Sequence, residues 1–229
     1  MDQMAADPKD MTLDELRLAL APEIAMAAMF DGWSDTALDM AADGLDVERS
    51  VARLAFPGKG TGGRAMDMIE GWVASVDARM AAYFADGRLD NLPIRERIRS
   101  LVWFRLEAIA GLEESLSRAM AVQAMPLNAP AAIRQGWSSA DKMWRLAGDT
   151  ATDYNHYTKR AILAGIYGAT LAVWKDEMSE DKAETRAFLD RRIEGVMKFE
   201  KAKAQLLGGD REHFDVARFL GRLRYPQER

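Results

Sequence analysis

His156 is the side chain in this sequence best suited to proton transfer near neutral pH, because an imidazole titrates close to that range. Asp153 lies three positions earlier, so on a helix its carboxylate would face the imidazole and orient it as a general base. No nucleophile and no oxyanion-binding motif accompanies the pair, and a catalytic site needs more than an oriented base. We therefore predict no catalytic residue and interpret His156 as a surface histidine.

The sequence contains few residues that could bind a metal ion or a phosphate group. The chain contains no cysteine and only two histidines, His156 and His213, whereas zinc and di-iron sites need several imidazoles, thiolates or carboxylates. The glycine-rich stretch GKGTGG at residues 58–63 lacks the spacing of a phosphate-binding loop and does not follow a strand. We predict no metal and no other cofactor, and we interpret this stretch as a hinge.

The composition favours helices and a soluble protein. Ala, Leu, Met, Arg, Glu and Asp are abundant, whereas the β-branched residues are sparse. The amino end resembles neither a secretory signal nor a transit peptide, and the longest uncharged apolar run, residues 161–174, is shorter than the ~20 residues of a membrane-spanning helix. A net charge of −5 argues against general attraction to nucleic acid. We expect a cytoplasmic protein without a nucleic-acid partner.

Three short helical patterns open the chain in the layout of a helix-turn-helix. Thr12 and Glu15 form a capping box, Ser34 is placed to cap the second helix, and Gly44 ends it. DNA binding needs a basic recognition helix, but residues 34–59 carry five acidic side chains against three basic ones. We therefore favour a degenerate module that packs on the rest of the protein, with a DNA-binding module as the alternative.

Longer helical patterns follow, and no strand pattern is present. Apolar residues recur at helical spacing from about Arg64 to Ala85, from Ile94 with a continuation to Met125, and from Ala131 to Leu146. Pro93 fits the first position of the second of these helices. An apolar helix then follows Arg160, and Ser179 is placed to cap another. We predict an all-α fold of about nine or ten helices.

One ordered string of motifs resembles a known family. MPLNAP is followed by a helix with Asp141, Met143 and Trp144, then by GD-x-x-x-D-x-N-x-Y-T-x-R at residues 148–160, and later by FLDRRI. This string resembles the ubiquinone-biosynthesis auxiliary proteins that form the ninth member of the Coq series. The likeness extends from about Leu13 to Lys203. The resemblance implies a helical bundle of the tetracycline-repressor type with a degenerate helix-turn-helix.

The resemblance also implies a function. Members of this family are non-enzymatic lipid-binding accessory proteins, which present hydrophobic ubiquinone precursors to the di-iron hydroxylase of the pathway. The implied partners are an isoprenoid quinone precursor or phospholipid, that hydroxylase, and the anionic inner face of a bacterial membrane. Two other functions remain open, a ligand-responsive transcriptional regulator of the tetracycline-repressor type and a cofactor-independent enzyme acting on prenylated phenols.

The resemblance implies a partner-binding patch. Most relatives carry tryptophan where this sequence has His156, so the aromatic anchor is smaller here. Rings placed among charges suit a docking surface, because tyrosine combines an apolar body with a polar tip. The alternative is that Tyr154 and Tyr157 fill the core. The implied patch comprises Asp141, Lys142, Met143, Asp153, His156, Tyr157 and Arg160.

The helix after Arg160 is apolar on nearly all sides, which predicts that other helices wrap it. Gly165 and Gly168 each destabilise a helix by about 1 kcal/mol relative to alanine. The missing side chain is therefore expected to make room for either a close neighbour or a ligand chain. Close packing and an apolar lipid cavity both remain open. The candidate lipid-binding residues are Trp103, Leu106, Ile109, Leu116, Met120, Met125, Trp144, Ile162, Ile166 and Leu171.

The carboxyl end follows Gly208 and Gly209 with a short basic amphipathic pattern. Such a helix can lie on an anionic membrane surface, and the alternative is that it docks on its own domain or on a second copy in a homodimer. The candidate membrane-binding residues are Arg211, Val216, Arg218, Phe219, Leu220, Arg222 and Leu223. We therefore expect four regions, namely a flexible amino terminus (1–11), a degenerate helix-turn-helix (12–60), a lipid-binding helical bundle (61–207), and a hinge with an amphipathic helix (208–229).

Overall fold

The computed structural model describes residues 8–150 and 154–207, and both stretches are helical. A short 3-10 turn, Pro8–Asp10, precedes nine α-helices, and the described residues contain no strand. The predicted all-α fold is confirmed. The helices are α1 Leu13–Asp31, α2 Asp35–Gly44, α3 Arg49–Ala55, α4 Gly63–Tyr83, α5 Ile94–Glu107, α6 Glu113–Gln123, α7 Ala129–Leu146, α8 Tyr154–Asp176 and α9 Ala183–Leu207.

The chain divides into two compact units, residues 1–189 and 190–229. Every side chain of the candidate site described below belongs to the first unit. Within the described ranges, no helix has the length and hydropathy needed to cross a bilayer.

The first two helices begin where local side-chain chemistry predicts. The backbone N–H of Glu15 donates to Oγ1 of Thr12 at 3.3 Å, and the N–H of Thr12 donates to Oε2 of Glu15 at 2.8 Å. Ser34 caps α2 by accepting from the N–H of Ala37 at 3.3 Å. Both caps satisfy N–H groups that have no partner within the helix.

Trp33 joins the three amino-terminal helices to the rest of the bundle. Its indole Nε1–H donates to the carbonyl of Ser115 at 3.1 Å, and its ring centroid lies 5.3 Å from that of Trp72. The buried hydroxyl of Ser115 in turn donates to the carbonyl of Ala25 at 2.5 Å. These bonds link α1, α4 and α6, so the opening module packs against the bundle.

Two predicted helix ends differ from the structure. Helix α5 ends at Glu107 and does not continue to Met125, because Gly111 has a φ of 82° and the chain turns before α6 begins. That left-handed backbone is accessible to glycine at little cost. Pro93 precedes α5 as its N-cap residue and is not its first helical residue.

The predicted role of Ser179 as a helix cap is wrong. The carboxylate of Glu177 caps α9 by accepting from the backbone N–H groups of Glu184 at 2.9 Å and Thr185 at 2.7 Å. The hydroxyl of Ser179 donates to Glu177 at 2.5 Å and so helps to hold the capping carboxylate. Burial raises the pKa of Glu177, but hydrogen bonds from Ser179 and Thr185 outweigh burial and lower the pKa to about 2.

Helix α8 is buried along one face and not on all sides, which corrects the expectation of a wrapped helix. Its buried face comprises Arg160, Leu163, Tyr167, Thr170 and Trp174, which recur every three or four positions. Gly165 and Gly168 are exposed, and a Cβ added to either would meet no neighbouring atom within 4 Å. The close neighbour predicted at these glycines is therefore absent among the described residues.

Candidate functional site

Arg105 of α5 lies in the interior and connects three other helices. Its side chain is 1% exposed, and its Nη1 donates to Oδ1 of Asp77 on α4. Its Nη2 donates to Oγ of Ser139 on α7 at 3.1 Å, and its guanidinium carbon lies 4.9 Å from the ring centroid of Tyr167 on α8. The four central helices therefore meet around one charged side chain.

The surroundings of Arg105 keep it charged. Burial lowers the pKa of the guanidinium, but the interactions with Tyr167 and Asp77 outweigh burial, and the pKa lies above its ordinary value. Asp77 is also buried, and its second oxygen accepts a hydrogen bond from Nζ of Lys142 at 2.7 Å. Since the ammonium of Lys142 is about half exposed, this chain of charges reaches from the interior to the surface.

A small cavity adjoins Arg105. Its volume is about 90 Å³, well below the roughly 300–1,000 Å³ of common small-molecule pockets. Four of the ten predicted lipid-binding residues line it, namely Ile109, Leu116, Met120 and Leu171. The other lining residues are Ile69, Trp72, Val73, Val76, Arg105, Ala119, Gln123, Ala132, Gln135, Gly136, Ser139 and Tyr167.

The remaining predicted lipid-binding residues lie elsewhere. Trp103 stacks edge-to-face on Trp174, with centroids 5.7 Å apart, and also lines an open groove of about 480 Å³ near the carboxyl end of α4. The indole of Trp144 donates to the carbonyl of Lys159 at 3.0 Å. Their roles in lipid binding stay predictions. Leu106 is fully buried, Met125 is exposed, and Ile162 and Ile166 are half-buried.

The predicted partner patch is built on an ion-pair network between α7 and α8. Nε of Arg160 donates to Oδ1 of Asp141 at 2.6 Å, and its Nη1 donates to Oδ2 of Asp149 at 2.9 Å. Nζ of Lys159 donates to the other oxygen of Asp149 at 2.6 Å. The acidic residues therefore fix the first turns of α8 against the end of α7.

Both carboxylates of this network ionise more readily than usual. Burial raises the pKa of Asp149, but hydrogen bonds from Lys159 and Arg160 outweigh burial and lower the pKa. Burial likewise raises the pKa of Asp141, and Arg160 and Arg145 together lower it below the ordinary value. The network is therefore charged at neutral pH.

Three rings form an aromatic surface beside the network. Tyr157 is 62% exposed, so the alternative in which it fills the core is wrong. Its ring centroid lies 6.1 Å from that of Trp137 on α7 and 5.1 Å from that of His156. We call Trp137, His156 and Tyr157 the aromatic patch.

Other members of the predicted patch have different positions. Met143 is fully buried, and Arg160 uses its guanidinium in the ion-pair network, so neither offers a free surface. Lys142 reaches Asp77. Asp153, the side chain of Tyr154, and all seven predicted membrane-binding residues lie outside the part of the chain whose side chains the structure describes.

The sequence patterns did not predict a role for Trp137, Arg105 or Asp77. Trp137 lies four positions before Asp141, so both fall on one helix face, and this spacing was the available signal. Arg105 falls in the apolar register of α5, four positions from Leu101 and Ile109, where a charge indicates a buried partner.

The opening module offers few free cations for DNA. Arg49 donates to both oxygens of Asp43 at 2.9 and 2.6 Å, and Arg53 donates to Asp39 at 2.6 Å. Its acidic residues thus neutralise the basic side chains of α3. No group of three His, Asp or Glu side chains suited to a metal occurs within the described ranges.

Comparison with known proteins identifies a similar family. Residues 129–200, which cover α7, α8 and part of α9, match the COQ9 family model. The chain is 31% identical over 173 residues to "Ubiquinone biosynthesis protein COQ9, mitochondrial" of Rattus norvegicus, covering 72% of this chain and 54% of that protein. The protein of the same name from Bos taurus is 30% identical over 173 residues, covering 72% and 52% respectively. The chain thus spans about half the length of these curated relatives.

Comparison of structures shows the fold. A TetR transcriptional regulator from Nitrosomonas europaea superposes with a TM-score of 0.60 at 22% identity, covering 78% of this chain and 95% of that chain. The chain is therefore similar in sequence to the COQ9 proteins, carries their family pattern over residues 129–200, and has a fold of the tetracycline-repressor type.

Proposed function

We propose that this protein is a non-enzymatic accessory factor of ubiquinone biosynthesis, which binds an isoprenoid precursor or phospholipid and presents it to a di-iron hydroxylase. The observation that carries the proposal is the COQ9 match over residues 129–200, which includes both the aromatic patch and one wall of the cavity. The names of the matched relatives place those proteins in ubiquinone biosynthesis and in mitochondria.

The aromatic patch supports the partner-binding half of the proposal. An exposed tyrosine beside a tryptophan is the kind of anchor that interfaces use, because both rings bury a large area at small entropic cost. The ion-pair network beneath the patch holds Tyr157 and His156 in place before a partner arrives, which lowers the entropic cost of docking.

The cavity supports the lipid-binding half, provided that its walls move apart. At about 90 Å³ it holds only one end of a lipid. The walls are largely aliphatic, and Met120 has an unbranched, flexible side chain that can change rotamer as a chain enters. A lipid would therefore thread one end between the central helices and leave the remainder nearer the surface.

Attachment to an anionic membrane is also part of the proposal. It rests on the basic amphipathic pattern of residues 211–223. A purely DNA-binding function receives less support, because α3 has its arginines paired with acidic residues.

Mass spectrometry of organic extracts from purified protein tests lipid binding. We expect isoprenoid or phospholipid to co-purify with the wild-type protein. Gly136→Leu should reduce the bound lipid, because Gly136 lines the cavity and a side chain there enters open space. The matched control is Gly165→Leu, which lies on the exposed face of α8 and should retain the lipid.

Two outcomes would contradict the proposal. One is wild-type protein that carries no lipid after expression in cells that make ubiquinone. The other is an equal lipid content in the Gly136→Leu and Gly165→Leu proteins, which would place any lipid outside the cavity.

A further inference from the structure

A buried hydrogen-bond donor without an acceptor lies at the cavity. The Nε–H of Arg105 finds no acceptor among the described atoms, although the side chain is only 1% exposed. Leaving a buried donor unpaired costs about as much free energy as losing a hydrogen bond, and more when the donor is charged. Because Arg105 also lines the cavity, an acceptor that enters there would recover this cost.

Three other polar side chains of the cavity, Gln123, Gln135 and Ser139, have partners within the protein. Nε2 of Gln123 donates to Oε1 of Gln135, and Nε2 of Gln135 lies 3.5 Å from the carbonyl of Ile69. Ser139 accepts from Arg105. Among the buried side-chain N and O atoms of the described residues, Nε of Arg105 is the one that borders this cavity and has no hydrogen-bond partner.

The charge balance favours an uncharged acceptor. The positive charge of Arg105 is already paired with the carboxylate of Asp77, and the second cation on that carboxylate, Lys142, is about half exposed and does not line the cavity. A ligand carboxylate placed there would lose its hydration and would be repelled by the carboxylate of Asp77. Because the charges of Arg105 and Asp77 already balance each other, this pair does not offset that cost.

We infer that this cavity binds the oxygen-bearing end of an otherwise apolar ligand, with an uncharged carbonyl or hydroxyl oxygen accepting a hydrogen bond from Nε of Arg105. The aliphatic walls, including Ile69, Leu116 and Leu171, contact the carbon skeleton next to that oxygen. The inference rests on the proposed function, since it names which end of the ligand enters the bundle.

Three small probes of matched shape test the inference. 2-Pentanone carries a carbonyl oxygen, 2-methyl-1-pentene replaces that oxygen with a methylene group, and butanoate replaces the methyl group with a charged oxygen. Each is titrated into the full-length protein while the Arg105 Nε–H signal is followed by ¹H–¹⁵N NMR. This signal is assigned with Arg105→Lys, which keeps a charge opposite Asp77 and removes the Nε–H.

We expect 2-pentanone to shift the Arg105 Nε–H proton downfield in a saturable way. Its affinity should exceed that of 2-methyl-1-pentene by roughly tenfold or more, the usual worth of a hydrogen bond to a charged group. Butanoate should bind more weakly than the ketone. If Arg105→Lys does not fold, the wild-type signal is assigned by triple-resonance experiments and the comparison of probes stands unchanged.

Equal affinities for the ketone and the alkene would overturn the inference, since the orphan donor would then contribute nothing. Tighter binding of butanoate than of 2-pentanone would overturn the inference that the bound oxygen is uncharged. A failure of this kind leaves lipid co-purification unaffected, so the inference and the proposed function fail separately.

Discussion

Asp149 accepts a hydrogen bond from Arg160 at 2.9 Å, between two side chains that are 7% and 2% exposed. The pair joins the turn after α7 to the second turn of α8, and Nη1 of Arg160 also donates to the carbonyl of His156 in the aromatic patch at 3.1 Å. A charge buried to this degree depends on its partner, because water no longer solvates it.

Asp149→Asn should therefore lower the free energy of unfolding by about 2–3 kcal/mol, since Arg160 would lose a charged acceptor in a buried position. Urea unfolding followed by circular dichroism measures the change. Asp176→Asn is the matched control, because Asp176 pairs with Lys175 at the surface and should contribute less than about 1 kcal/mol. Equal effects of the two substitutions would show that the buried network contributes no special stability.

Acid should weaken the protein through carboxylates whose pKa is depressed by folding. Glu177 has a pKa of about 2 against an ordinary value of 4.5, so its contribution is complete above pH 4.5 and is lost as pH falls toward 2. Asp141 and Asp149 have lowered pKa values and act in the same direction.

Glu177→Gln tests this linkage at one residue. The amide still accepts hydrogen bonds but does not titrate, so the variant should be about 1 kcal/mol less stable at pH 7 and should lose less stability between pH 4.5 and 2.5. Thermal unfolding at several pH values provides the comparison. Parallel stability profiles for the wild-type and Glu177→Gln proteins would contradict the assigned cap.

Local signals in the sequence predicted the caps at Thr12 and Ser34, because each cap bonds a residue three positions away. Glu177 caps α9 from seven and eight positions away, across a turn whose geometry no short motif specifies. The same limit applied at Gly111, where a left-handed backbone ended a helix whose apolar spacing continued.

The residues of the candidate site also fall into two groups, those that local sequence motifs predicted and those that depend on how the helices pack. The motif from Gly148 to Arg160 located the network, and Tyr157 is exposed as a docking residue requires. The cavity was only partly foreseen, because the pairing of Arg105 with Asp77 joins positions 28 apart and depends on how α4 and α5 pack. Apolar periodicity predicts that a side chain is buried but not which side chains border an empty volume.

If the proposed function holds, Tyr157→Ala should weaken capture of a di-iron hydroxylase tenfold or more, because an exposed aromatic anchor is a common interface hot spot. Its effect on unfolding should stay within about 0.5 kcal/mol, since the side chain is mostly in solvent. Surface plasmon resonance and urea unfolding give the two values. Tyr83→Ala, an exposed tyrosine at the end of α4, is the control and should retain full capture.

Unfolding of the Tyr157→Ala protein would show that the ring of Tyr157 is needed for the packing of the fold. Unchanged capture by a folded Tyr157→Ala protein would remove the aromatic patch from the docking surface.

DNA binding should be weak and sensitive to salt, because Arg49 and Arg53 are paired with aspartates. A gel shift with genomic promoter fragments at 50 and 200 mM salt tests this expectation. Asp39→Asn is an informative variant, since it frees Arg53 and should strengthen non-specific binding. Tight, sequence-selective binding by the wild-type protein at the higher salt would favour a transcriptional regulator instead.

Asp77 should be far more important for stability than its surface partner Lys142. Asp77→Asn leaves the guanidinium of Arg105 buried without a counter-charge, and breaking a buried ion pair in this way costs about 3–5 kcal/mol. Lys142→Met removes only the half-exposed ammonium, while Asp77 keeps its bond to Arg105, so the cost should be below about 1 kcal/mol. Chemical unfolding of both variants measures the contrast. Equal losses would mean that the interior pair depends on Lys142, and a negligible loss in Asp77→Asn would mean that Arg105 is solvated through the cavity.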